Sequence, residues 1–136
     1  MTRRKYELKK RAVKKRRTRE RIVEAAVALH QEIGPSATTI SGIAERAGVQ
    51  RLTVYRHFPT EKDLLAACSS SFIDRHPPPT PVADETLRAD QQTRTVLQAF
   101  YTYYQETSEM WASIYRDKDR MAAVADVMEG FETHLE

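Results

Sequence analysis

With one cysteine, four glycines and one tryptophan in 136 residues, the chain has little of what several protein classes are built from. A single thiol, Cys68, forms no internal disulfide, which fits a reducing compartment such as the cytoplasm. On a helical stretch it reads as core filler rather than as a sensor. Glycine is scarce, and four of the six prolines are confined to Pro77–Pro81, so an all-helical chain is expected. No apolar run approaches the roughly 20 residues of a membrane span. The basic start is not followed by the apolar segment of a secretory signal. His30, His57, His76 and His134 share no metal-site spacing with each other or with Cys68. A Gly-x-Ser-x-Gly elbow, a phosphate-cradling Gly loop and a nucleotide fingerprint are all missing. The expectation is a protein that is not an enzyme and takes no metal or cofactor.

Charge is abundant but unevenly placed. Twelve of the 22 basic residues and two of the 19 acids fall in residues 1–21, so this segment carries +10 and the remainder −7. A basic end on an acidic body suits a polyanion. Such a segment also serves as a solvated tail, or binds RNA and membrane surfaces without selectivity. Residues 1–16 are therefore expected to form a basic arm. The first well-formed helix is expected from Thr18; Tyr6–Val13 can extend it toward the N-terminus, although the density of like charge opposes this without a counter-ion. Ile22, Ala25, Ala26, Leu29 and Ile33 recur at helical spacing, and Gly34-Pro35 closes that helix.

The next stretch carries the chemistry. Ile40, Ile43, Ala44 and Ala47 lie at i, i+3, i+4 and i+7, one apolar stripe of a short helix. Thr39 stands where a hydroxyl caps its first turn, and Gly48 where a left-handed residue ends it. A second helix follows with Val54 and Phe58 for the core. Arg51, Leu52, Thr53, Tyr55, Arg56 and His57 are left outward or on its flanks. That set is rich in donors and free of acid, which suits a helix laid in the major groove of DNA. A solvated helical hairpin has the same periodicity. Beyond it, Thr60 and Asp63 have capping-box spacing, Lys62 adds a positive charge at a helix start, and Leu64, Leu65, Cys68 and Phe72 continue a buried face.

Ile40-x-x-Ile43-Ala44-x-x-Ala47-Gly48-Val49, then Thr53-Val54-Tyr55-Arg56-His57-Phe58, then Lys62-x-Leu64-Leu65, resembles the DNA-binding domain of the tetracycline-repressor (TetR-type) family. The similarity runs from about Arg17 to about His76. It departs at Gln50, where the family has Ser or a similar short polar cap, and at Leu52, where it has a small residue. Gln50 retains the capacity to bond a phosphate or an adenine edge, and Leu52 to pack on a thymine methyl. The resemblance implies a three-helix DNA-binding domain over 17–76, with its helix-turn-helix at about 39–58. It also implies double-stranded DNA as partner, contacted by Thr39, Ser41, Gln50, Arg51, Leu52, Thr53, Tyr55, Arg56, His57 and Lys62.

Pro77–Pro81 reads as a stiff linker over 77–83, followed by a partial helical regulatory domain over 84–136. Helical periodicity resumes around Asp84. Thr107 or Ser108 is expected to cap a new helix near Glu109, and a last helix is expected near Asp119, with Val124, Val127, Met128, Phe131 and Leu135 on one stripe. In family terms this region implies the beginning of a ligand-binding and dimerisation domain, and hence an unidentified small-molecule effector and a homodimer. Tyr101, Tyr103, Tyr104, Met110, Trp111 and Tyr115 are its pocket candidates, although aromatic residues at this spacing are usually core. The apolar stripe reaches Glu136 without a Gly cap, and the family continues with further helices, so a truncated regulator is expected ahead of a chain that dimerises differently or an incomplete product with exposed apolar surface. The expected function is a sequence-specific transcriptional regulator, usually a repressor. The alternatives are a non-specific nucleic-acid binder acting through the arm and a helical protein-interaction module.

Overall fold

The structure, a computed structural model, describes residues 2–135, and the side chains of residues 131, 134 and 135 lie outside its description. Among the described residues it is all-helical: α1 Arg3–Ile33, a 3₁₀ turn Pro35–Ala37, α2 Ile40–Ala47, α3 Arg51–His57, α4 Glu61–Arg75, α5 Ala89–Asp117 and α6 Ala122–Leu135.

Helix α1 begins at Arg3 rather than at Thr18, so the extension through Tyr6–Val13 forms despite the like charge. It is continuous over 31 residues, roughly 46 Å at 1.5 Å per residue. The helix is nucleated where Ile22, Val23, Ala25 and Ala26 are buried, so each residue toward the N-terminus only propagates it. Lys, Arg, Glu and Ala are good propagators. The like charges are spread around the whole circumference. Arg3–Glu7 and Arg16–Glu20 add exposed i,i+4 pairs at 3.7 and 3.9 Å, each worth little. At the other end Ile33, expected on the apolar stripe, is exposed.

The α2–α3 corner follows local rules. The Thr39 hydroxyl accepts from Gly42 N–H at 3.0 Å and caps α2. Gly48, at φ 67°, adopts the left-handed conformation, and its N–H returns to Ala44 and Glu45. Arg21 reaches across from α1 to hydrogen-bond the carbonyls of Ala47 and Gly48, fastening the turn from outside the helix pair. Arg46 and Glu32 tie α2 to α1 through two parallel bonds of 2.6 and 2.7 Å. At α4, Thr60 and Asp63 form a reciprocal capping box.

Two apolar clusters share α4. Leu64 and Cys68 join Ile22, Ala26, Ile43, Ala44, Val54 and Phe58 in the first. Leu65 points the other way and packs with Val124 and Met128, flanked by Trp111, Ile114 and Val127. Consecutive leucines thus belong to different clusters, as a 100° step around a helix requires.

Helix α5 is one element, without the break expected at Thr107 and Ser108. The Thr107 hydroxyl donates to Tyr103 O at 2.7 Å, the i−4 bond by which a mid-helix Thr is accommodated, rather than capping a new start. Regular helix begins at Ala89 rather than at Asp84, and α6 at Ala122 rather than near Asp119, because a turn closed by Arg120 N–H on Asp117 O intervenes. On α6, Val124 and Met128 are buried, while the Phe131 and Leu135 side chains of the expected stripe lie outside the described residues.

The end of α5 is locked to the elbow before α2. Asp117, 1% exposed, accepts from Ser36 N–H at 2.9 Å, from the Ser36 hydroxyl at 2.8 Å and from Arg116 Nε at 3.3 Å. Burial pushes its carboxyl up, but the Ser36 bonds and Arg116 outweigh this and hold it below its ordinary value. Ser113 donates to Gln31 O, and Arg116 to Ile33 O. Gly34, at φ 87°, sits under this lock, where a Cβ would collide with the Asp117 carboxylate and the Arg116 guanidinium.

Candidate nucleic-acid interface

Helix α3 is anchored by two side chains and open along its outward side. Val54 and Phe58 are buried at 0% and 3% exposure, which fixes the rotation of a seven-residue helix about its axis. Arg51 and Tyr55 then form one outward row, and Leu52 and Arg56 the next, all exposed. Thr53 and His57 are half-buried on the flanks. Gln50 makes no side-chain cap, so its amide is not committed to the helix end. Thr39 and Ser41 lie exposed at the start of α2. Lys62 is exposed in the first turn of α4, where Asp63 already occupies the Thr60 N–H. The ammonium of Lys62, rather than that N–H, is what remains to meet a phosphate.

The basic half of α1 joins this surface, a juxtaposition that separation in sequence hides. The Arg19 guanidinium lies 5.0 Å over the Phe58 ring. Partial burial, with Lys15 and Arg19 beside it, holds the His57 imidazole below its ordinary value. The end of α3 and the middle of α1 therefore form one positive surface. Arg4, Arg11 and Lys15, at i, i+7 and i+11, share a face of α1.

The pocket candidates separate. A cavity of about 450 Å³ lies between α1, α4, α5 and α6, lined by Met110 and Trp111 among others. Tyr101, Tyr104 and Tyr115 stand exposed outside it at 76%, 46% and 54%. The buried face of α5 runs through Tyr103, Thr107, Met110 and Asp117, and the three exposed tyrosines fall off that line. Tyr103 is buried without lining the cavity. Sequence reasoning missed His30, which lines the cavity from α1. Its signal was the i, i+4, i+8 spacing Ile22, Ala26, His30, which puts an imidazole on a core stripe. Among the described residues no cluster of His, Cys, Asp and Glu is placed to hold a metal ion, and no helix is long and apolar enough to cross a membrane.

Residues 22–68, from the first buried residue of α1 to Cys68 of α4, match the family model described as bacterial regulatory proteins, tetR family. Over this segment the chain is similar to that family. It is 39% identical over 59 residues to the HTH-type transcriptional regulator TtgR of Pseudomonas putida, covering 43% of this chain and 28% of that one. To the tetracycline repressor protein class A from transposon 1721 of Escherichia coli it is 33% identical over 69 residues, covering 50% and 32%. A similar stretch, 40% identical over 53 residues, occurs in the uncharacterized HTH-type transcriptional regulator Rv2250c of Mycobacterium tuberculosis, covering 39% and 28%. The chain thus spans about a third or less of the length of these curated relatives. Helices α5 and α6 fall outside the matched family segment.

Proposed function

We propose that the chain is a DNA-binding transcriptional regulator that lays α3 in the major groove. The observation that carries this reading is the uncovered outward side of α3, where Arg51, Leu52, Tyr55 and Arg56 stand exposed while Val54 and Phe58 hold the helix. Arg51 and Arg56 have the forked donors that match guanine O6 and N7, and Gln50 has the amide that matches adenine. Leu52 offers an apolar contact for thymine methyl. Thr53, Tyr55 and His57, with Thr39, Ser41 and Lys62 on the neighbouring helices, supply contacts to the backbone or to base edges at the rim.

In this reading the protein is a repressor that acts as a homodimer on a near-palindromic operator. A small molecule in the cavity releases it by favouring an arrangement in which two α3 helices no longer match half-sites one helical turn apart. Helix α4, which borders both the reading domain and the cavity, and the Asp117–Ser36 lock are the connections available for that coupling.

Selection of binding sites from random duplexes, with the mass of the complex measured alongside, tests the proposal. Enrichment of a two-fold-related site bound by two chains is expected. Retention without enrichment favours a non-specific binder acting through residues 1–21. No retention even at low salt favours a protein-interaction module.

A further inference from the structure

The composition of the cavity restricts what fills it. Among the described residues no Asp, Glu, Lys or Arg lines it. Its walls are mainly aliphatic, aromatic and thioether side chains, and the side-chain polar atoms come from His30, Ser69, Cys68 and Trp111. Burial pushes the Cys68 thiol up to about 12, so it stays protonated. His30 is 7% exposed, and among the described residues no hydrogen bond engages its ring. A buried imidazole left in this state faces a room where a partner would complete it. Burial also holds its pKa down at about 4, so the ring offers one N–H donor and one acceptor nitrogen at neutral pH.

We propose that the cavity takes an uncharged, mainly apolar molecule bearing a single hydrogen-bonding group that docks on His30. An ion of either sign would leave water for an apolar space with no counter-charge among the described residues. The volume of about 450 Å³ suits a compact molecule. His30 lies four residues before Gly34 on α1, so such a molecule would touch the helix that carries the reading domain as well as α4. The proposal deepens the effector reading above and rests on it for its regulatory consequence, while binding itself is measured without DNA.

The probes are 2-naphthol, naphthalene, 2-naphthoate and 2-naphthylmethylammonium. Each is titrated into the full chain by calorimetry at neutral pH. Emission of Trp111, the only tryptophan and a lining residue, reports occupancy. The naphthol is expected to bind at least about tenfold tighter than either ion. His30→Leu is expected to weaken naphthol binding roughly five- to tenfold, toward the level of naphthalene, and His30→Gln, which keeps an acceptor, to restore most of it. If the leucine variant does not fold, the glutamine variant and the comparison with the ions carry the test. Absence of naphthol binding, ions binding as tightly as naphthol, or an unchanged naphthol-to-naphthalene ratio in His30→Leu would overturn the proposal. Release from a selected duplex is read separately. A naphthol that binds in the expected pattern without releasing DNA supports the assignment of the cavity and sinks the effector reading.

Discussion

Arg51 and His30 sit in opposite environments, and each sets its own experiment. Arg51 is exposed on α3 without an acid on that helix to occupy it. If it grips a guanine through both forks, Arg51→Ala lowers affinity for a selected operator by about 1–3 kcal/mol and leaves random duplex much less affected. Parallel titrations on the two DNAs check this, and equal losses would turn Arg51 into a phosphate contact. His30 is buried and neutral, its pKa lowered to about 4. The unfolded chain takes up a proton near the ordinary imidazole value of about 6.5, while the folded chain resists until much lower pH. Stability is therefore full above the unfolded value, declines as pH falls through the interval, and levels off below the folded value. The loss is on the order of 3 kcal/mol. Urea denaturation from pH 7 to pH 4 should show it, and His30→Leu should remove that component of the pH dependence.

At the scale of the helix, the joint between α5 and the elbow before α2 is the connection to test. Asp117 is ionised and held by Ser36 and Arg116, its pKa lowered. A depressed carboxylate contributes stability that is present above its unfolded pKa and lost as pH falls through the folded one. Asp117→Asn keeps the shape and some acceptor capacity but loses the charge, so a loss of about 1–3 kcal/mol is expected. The acid-side decline belonging to Asp117 should vanish with it, as denaturation series at several pH values would show. Gly34→Ala attacks the same joint sterically, since the new Cβ has no room and the φ of 87° is strained for alanine.

This joint also marks how far the sequence alone could be read. Thr39, Gly48 and the Thr60–Asp63 box were legible because caps obey rules that span three or four residues. The outward face of α3 was legible because Val54 and Phe58 define its inward one. The break expected at Thr107 was an error of the same local kind, because a hydroxyl that caps one helix bonds back along another. Asp117 and Ser36 meet 81 residues apart, and no periodicity announces such a pair. Nor does periodicity say which face of α5 meets α1, so Met110 and Trp111 reach the cavity while Tyr101, Tyr104 and Tyr115 do not.

For the whole molecule, the deciding property is where the charge sits relative to α3. A net charge of +3 conceals a helical rod carrying +10 between Arg3 and Arg21, aimed by the packing of Ile22 and Ala26. Were the rod a flexible tail, every cation on it would count alike. As a helix, only one side can approach a duplex that α3 engages. Lys15 marks that side, because it lies close enough to His57 to influence its protonation. Arg4, Arg11 and Lys15 share the face, whereas Lys5, Lys9 and Arg16 lie roughly 120° around the helix from it. Changing either trio to Gln removes the same charge and preserves helix propensity. If all three residues of the first trio neutralise phosphates, its variant should lower the slope of log affinity against log salt by about 2.7. The second trio should change the slope far less, and neither should alter the preference for operator over random sequence. Affinity measured between 50 and 200 mM salt, about the range over which the Debye length shortens from roughly 14 to 7 Å, gives both slopes. Equal slopes for the two variants would mean that the rod acts through net charge alone, and the orientation of α1 against α3 would then have no part in binding.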